Sequence, residues 1–518
     1  MTIKKILIVI VTIISLFPVI LALVSSVNQP QVQSNLQLYQ TNLILQAAEL
    51  SEGTGDLGSA QNVLLGANPY ATAKSQYQEV KNLTQENIKI SSNSLKTDRS
   101  DHLLNKTKLN VNSEQQELEK QINQDKVFLK KVDVSLGIIE AKQGNTVEAI
   151  NIWDNLIKTS DNKTIKSNII ETATVLKALW NQPLQVLDNS ETVIQTNLKG
   201  WFRNQALKQL YQIENRKTEL LSLQNQDAQI ANQAIIKLAL VGGIPIISGL
   251  LGIGILVILI TQRFLQGKSA ILAVNNDLAW ETPWDWEVIW SVLIAGFFLI
   301  GQIILPVAFG IIGSSFKLSV ASLDLRYKAV YVLISYLTMA ITGILVLYFS
   351  IKPFFPLPKN WFKLNVFSNW ILWGLGGYFV AFPLVVIISL VNQQIWHGLG
   401  GSNPLLLLAL ESQDKIALII FFITASVAAP FFEEVIFRGF LLPSLTRYLP
   451  VWGAIVVSSL IFALAHLNLS EVLPLATLGI VLGFVYTRSK NLLSSMLLHS
   501  LWNSGTLISL FILGSGNS

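Results

Sequence analysis

Cysteine is absent from the 518 residues. That excludes disulfides, thiolate metal sites and a cysteine nucleophile. Histidine is scarce: only His102, His397, His466 and His499 occur, so any imidazole chemistry draws on these four. Charged residues make up 13% of the chain, about half the fraction of a soluble protein. There is no basic tract and no glycine-rich phosphate loop, so the sequence carries no signature of nucleic-acid or nucleotide binding. What the chain has instead is apolar surface, with 51% hydrophobic residues and long windows after Ala234 almost free of charge. The stretch from Asn28 to Gln233 is polar by contrast. This pattern reads as an all-α, polytopic membrane bundle with one large N-terminal soluble helical insert.

Two lysines, Lys4 and Lys5, precede an apolar run near the N-terminus that is long enough to span a bilayer. It reads as an uncleaved anchor over residues 1–27, with a cleaved signal peptide as the alternative, because no small-x-small cleavage site is clear. Residues 28–233 form the soluble helical domain. Within it, Leu136 to Ile157 resembles one tetratricopeptide helix pair, with a turn at Gly144–Asn145 followed by Ala149 and Trp153. Residues 45–69 and 174–187 are fainter echoes. Such repeats bury their apolar faces only by stacking, so an irregular helical domain or coiled coil stands beside the repeat reading. The repeat reading would add a protein partner for this domain.

Transmembrane helices and loops fill 234–365, and a catalytic membrane domain fills 366–513. Expected spans after Ala234 are 235–261, 288–312, 328–351, 369–391, 416–447, 452–468, 472–487 and 491–513, nine with the anchor. Basic residues set the orientation. Lys4 and Lys5 place the N-terminus inside, as do Arg263, Lys268, Lys352, Lys359, Lys363, Arg447, Arg488 and Lys490 for their loops. Residues 28–233 are then non-cytoplasmic. Lys317, Arg326 and Lys328 disagree with this arrangement.

The spans near the C-terminus hold the unusual residues. Between Ile416 and Phe437 the only charges are Glu433 and Glu434. A carboxylate at a helix centre costs roughly 2.5–3.5 kcal/mol even on insertion scales. His466 is the only titratable side chain from Val451 to Ser470, and His499 the only one after Lys490. Helical spacing sorts these groups. Glu434 and Arg438, four apart, face one another. Glu433 points about 100° away and is left without a local cation. His499 and Asn503 share a face. Brought together, the groups make a hydrolytic site without a serine or cysteine nucleophile. Glu433 can deprotonate water, His466 can orient it or shuttle its proton, and His499 with Asn503 can donate to an oxyanion. For Glu433 and His466 to meet, the helix must continue past Pro430 towards Arg447, a length of about 48 Å. His102 and His397 read as surface or loop residues, and Glu471 as an interfacial charge.

Glu433-Glu434-x-x-x-Arg438, Phe462-x-x-x-His466 and His499-x-x-x-Asn503, in this order and each on its own span, resemble the three motifs of the CAAX protease and bacteriocin-processing (CPBP, or Abi) intramembrane proteases. The resemblance covers roughly residues 370–513. It implies an all-helical membrane endopeptidase, in which Glu433 and His466 activate water and His499 with Asn503 binds the oxyanion. Glu434, Arg438 and Phe462 are supporting residues. It also implies a peptide or protein substrate, contact with membrane lipid and a multi-pass location in a bacterial cell or internal membrane. Family members have been described as metalloproteases, and Glu433, His466 and His499 would also make a zinc ligand set. The reading takes the metal-free mechanism and keeps zinc as the alternative. A non-catalytic membrane scaffold or immunity protein binding a peptide partner is the second reading. A transporter with a His/Glu relay is the third, and no repeat between the membrane halves supports it.

Overall fold

The structure is a computed structural model. It describes residues 3–515 apart from 28, 30, 32, 51–64, 102–110, 160–166, 276–278, 316–322 and 412–413. His102 and Lys317, and most of the 45–69 echo, lie outside the described residues. Those described are helical with no strand among them. The chain divides into two compact units, residues 1–31 with 244–511, and residues 32–243 with 512–518.

In the first unit, length and composition make candidate spans of Ile6–Ser26, Trp286–Ser315, Leu325–Phe354, Trp370–Trp396, Lys415–Leu445, Leu469–Ser489 and Leu492–Gly514. An eighth lies within Lys217–Ser269. The expected span at 452–468 is instead the 14-residue helix Val451–Leu464, about 21 Å long and shorter than a bilayer core. It ends early because the chain turns at Ala465 and His466 and then takes a positive φ at Leu467. Its flanks nevertheless reach opposite ends of the bundle. At one end Trp280 N–H bonds Thr446 Oγ1 at 3.0 Å, and Asn491 Nδ2 bonds the Asn365 carbonyl at 2.7 Å. At the other, Leu469 N–H bonds Ser26 Oγ at 3.1 Å, and Gly401 N–H bonds the Gln29 carbonyl at 2.9 Å.

The helix through Pro430 does continue, from Lys415 to Leu445, with π-helical turns at Thr424–Ala428 and Val435–Leu441. Proline has no N–H, so one carbonyl upstream must lose its partner. In α register that is Ser426, and in π register Ala425. Both carbonyls are taken by the helix Leu492–Gly514, from Ser500 Oγ at 2.5 Å and Asn503 Nδ2 at 2.7 Å. Two glycines let helices close on one another. A Cβ on Gly343 would stand 2.9 Å from the Phe432 ring of this helix, and one on Gly479, in Leu469–Ser489, would stand 2.8 Å from Ser459 Cβ of Val451–Leu464.

The second unit comprises the helices Gln33–Ala47, Pro69–Asp101, Val111–Lys142, Thr146–Lys158, Ser167–Trp180, Ser190–Asn197, Gly200–Ile213 and Lys217–Leu238. Its core joins Leu45, Ile138, Trp153, Leu176, Ile194 and Leu210. The helix pair expected over Leu136 to Ile157 is present, turning at Gly144 and Asn145, with Ala149 and Trp153 fully buried. The 174–187 echo is the end of Ser167–Trp180 followed by non-helical chain. The unit also holds a polar network. Glu49 binds Lys208 at 2.6 Å and Lys142 at 3.1 Å, and accepts from Trp201 Nε1 at 2.9 Å. Lys208 also reaches Asp227 at 2.5 Å.

Candidate active site

Four helices supply the cluster. Glu433, Glu434 and Arg438 come from Lys415–Leu445 and His499 from Leu492–Gly514. Phe462 lies near the end of Val451–Leu464, and Tyr336 comes from Leu325–Phe354. The pairing read from four-residue spacing is present: Arg438 Nη1 donates to Glu434 Oε1 at 2.8 Å, both side chains fully buried. Arg438 also donates to the Gly479 carbonyl at 3.3 Å, and its guanidinium lies over the Phe462 ring at 4.3 Å. Burial of this ion pair is tolerable only because hydrogen bonds and the ring face replace water around the guanidinium.

Glu434 has a second partner that spacing does not reveal. His499 Nδ1 stands 3.0 Å from the same Oε1. With Nδ1–H donated there, the ring turns Nε2 towards Glu433 Oε2, 3.9 Å away. That distance is too long for a hydrogen bond. Glu433 is half-buried, with 15% of its side chain exposed. Its partner comes from another helix: Tyr336 Oη donates to Oε1 at 3.1 Å. Its other oxygen, Oε2, has no hydrogen-bond partner among the described residues.

His466 sits just beyond its helix, half-buried, with Nδ1 2.9 Å from the Phe462 carbonyl. Its ring meets Phe462 edge-on at 4.9 Å, and His499 meets Phe462 at 5.7 Å. Phe462 therefore contacts both imidazoles. Among the described residues, His466 makes no hydrogen bond to either glutamate. Asn503 Nδ2 is engaged at the Ala425 carbonyl. An amide nitrogen carries two hydrogens, so this bond fixes the group and leaves one free to donate. Glu471 accepts from Asn403 N–H at 2.8 Å. His397 caps the C-terminus of Trp370–Trp396 at φ 48°. Among the described residues, no three histidine, aspartate or glutamate side chains are grouped to hold a metal ion. Glu433, His466 and His499 thus do not form a zinc site in this arrangement.

Sequence reasoning missed Tyr336 and Ser500. A phenol inside an apolar span was the available signal for the first. The second was legible only by asking which donor serves the carbonyls that Pro430 leaves open.

Residues 415–505 match the family model described as "Type II CAAX prenyl endopeptidase Rce1-like". The C-terminal region is thus similar to CAAX protease domains. The "Membrane-embedded CAAX protease MroQ" of Staphylococcus aureus (strain USA300) is 30% identical over 145 residues, 26% of this chain and 56% of that protein. A Bacillus subtilis (strain 168) protein bearing the name "Putative membrane peptidase YdiL" is 27% identical over 138 residues, 27% of this chain and 55% of that protein. The chain thus spans about half the length of these two curated relatives. No solved structure matches it significantly. Tyr336 lies outside the matched residues.

Proposed function

We propose that this chain is an intramembrane endopeptidase that hydrolyses a peptide bond of a protein or peptide substrate with a water activated by Glu433. The observation that carries the reading is the Glu433 carboxylate. One of its oxygens is held by Tyr336, and the other lies free 3.9 Å from an imidazole that Glu434 fixes in place. Both Oε2 and His499 Nε2 can reach a single water or oxyanion in front of them. Glu433 takes a proton from that water, and the hydroxide adds to the scissile carbonyl carbon. His499, through Nε2–H, and the remaining amide hydrogen of Asn503 donate to the oxyanion. His466 orients the water or shuttles its proton from the other contact of Phe462. Glu433 then passes its proton to the leaving nitrogen, the C–N bond breaks, and a carboxylic acid and an amine remain. The soluble domain recruits the substrate or a protein partner.

The test uses purified full-length protein and a pool of internally quenched fluorescent peptides. Cleavage by the wild type, lost on Glu433→Gln and unaffected by a strong chelator, supports the reading. Loss on chelation with recovery on adding zinc would replace the metal-free mechanism. No cleavage at all, with Glu433→Gln neutral in cells, would favour the scaffold reading, which needs no ionisable Glu433.

A further inference from the structure

We infer that Tyr336 is a positioning residue for Glu433, supplied to the site by a helix outside the residues that match the protease family. The inference rests on the endopeptidase reading. Tyr336 donates to Glu433 Oε1 at 3.1 Å. A carboxylate free to rotate offers either oxygen to water. With Oε1 held, Oε2 is the one directed at His499 Nε2. Two contacts fix the donor. The Tyr336 ring packs edge-on against Phe432, the residue before Glu433, at 6.2 Å and 85°. Gly343, two helical turns further along the same face, lets the helix close on the Phe432 ring. Neither contact uses the hydroxyl, so the ring secures the packing and the hydroxyl is left for the carboxylate.

The decisive variant is therefore Tyr336→Phe, which keeps the ring and removes only the donor. A hydrogen bond to a charged group sets the scale, and kcat should fall roughly 10- to 100-fold. The same peptide pool serves as substrate, with the most rapidly cut peptide taken forward for kinetics. KM should change by less than about threefold and the thermal unfolding midpoint should stay at the wild-type value, because a positioning loss is felt at the reacting atoms. In a Glu433→Asp background, whose shorter carboxylate withdraws from the phenol, adding Tyr336→Phe should cost little more, as expected of two groups acting together. Wild-type kcat in Tyr336→Phe, or a kcat loss matched by lost thermal stability, would overturn the inference. So would full additivity with Glu433→Asp. If Glu433→Gln abolishes cleavage while Tyr336→Phe is normal, only this inference fails. If Glu433→Gln cleaves like the wild type, the endopeptidase reading fails and takes this inference with it.

Discussion

Glu434 has no exposure to solvent, yet one of its oxygens meets both a guanidinium and an imidazole. The residue does two jobs through one atom. It balances the charge of Arg438, and it sets which way His499 faces. Removing the arginine would leave a buried carboxylate next to Glu433 and His499 without its cation, at a cost of roughly 3–5 kcal/mol. Arg438→Ala should therefore lower both the amount of folded protein and its thermal unfolding midpoint in detergent. Normal abundance and an unchanged midpoint would show that the pair does not hold the site. Glu433 presents the complementary case. Its side chain keeps a sliver of exposure, while Oε2, the oxygen without a hydrogen-bond partner among the described residues, is itself buried.

At the scale of elements, polar bonds fix helices that apolar packing alone would let slide. Pro430 opens carbonyls that Leu492–Gly514 closes, which sets the register of His499 against Glu433 and Glu434. The second unit uses Glu49 in the same way, tying the helix of Lys142 to the helix that holds Trp201 and Lys208. Burial alone pushes the Glu49 carboxyl up. The charges of Lys208 and Lys142, with hydrogen bonds from Lys208 and Trp201, outweigh burial and hold it at about 2. A carboxyl depressed in the folded state stabilises above its unfolded value and loses that contribution as pH falls through the folded one. The window is thus about pH 4.5 down to 2, and the amount about 2–4 kcal/mol. Hydrogen exchange of the Gly200–Ile213 helix in the full chain, corrected for intrinsic rates, should lose protection across that window. Glu49→Gln should be less protected at neutral pH and flat across the window. An acid-insensitive wild type would contradict the network's role. None of this was legible beforehand: Glu49 meets Lys142 and Lys208 across long sequence separations, whereas Glu434 and Arg438 announce themselves by sharing a helix face. Asn503 shows the opposite limit. It shares a helix with His499, but its bond to Ala425 depends on a proline in another helix.

Across the whole molecule, the alternation of apolar runs and basic loops made the helical bundle legible, because hydrophobic length is a property of single segments. The short helix Val451–Leu464 was overestimated, since apolar composition continues past the point where the backbone turns at His466. The orientation inferred from Lys4, Lys5 and the later basic loops has a direct check. A protease added to sealed, outside-out cells should cut within residues 28–233, and full protection of that region would reverse the assignment. The central claim concerns Glu433. Gln keeps its shape and is cheaper to bury than a carboxylate, so the fold should survive the exchange. A general base contributes typically 10²–10⁴-fold. The measurement that tests the claim most directly is a comparison of membrane-peptide profiles from cells expressing the wild type and Glu433→Gln at equal abundance. Peptides produced in the wild type should vanish in the variant, with their uncut precursors accumulating. Identical profiles would contradict the assignment of Glu433 as the base of a peptidase.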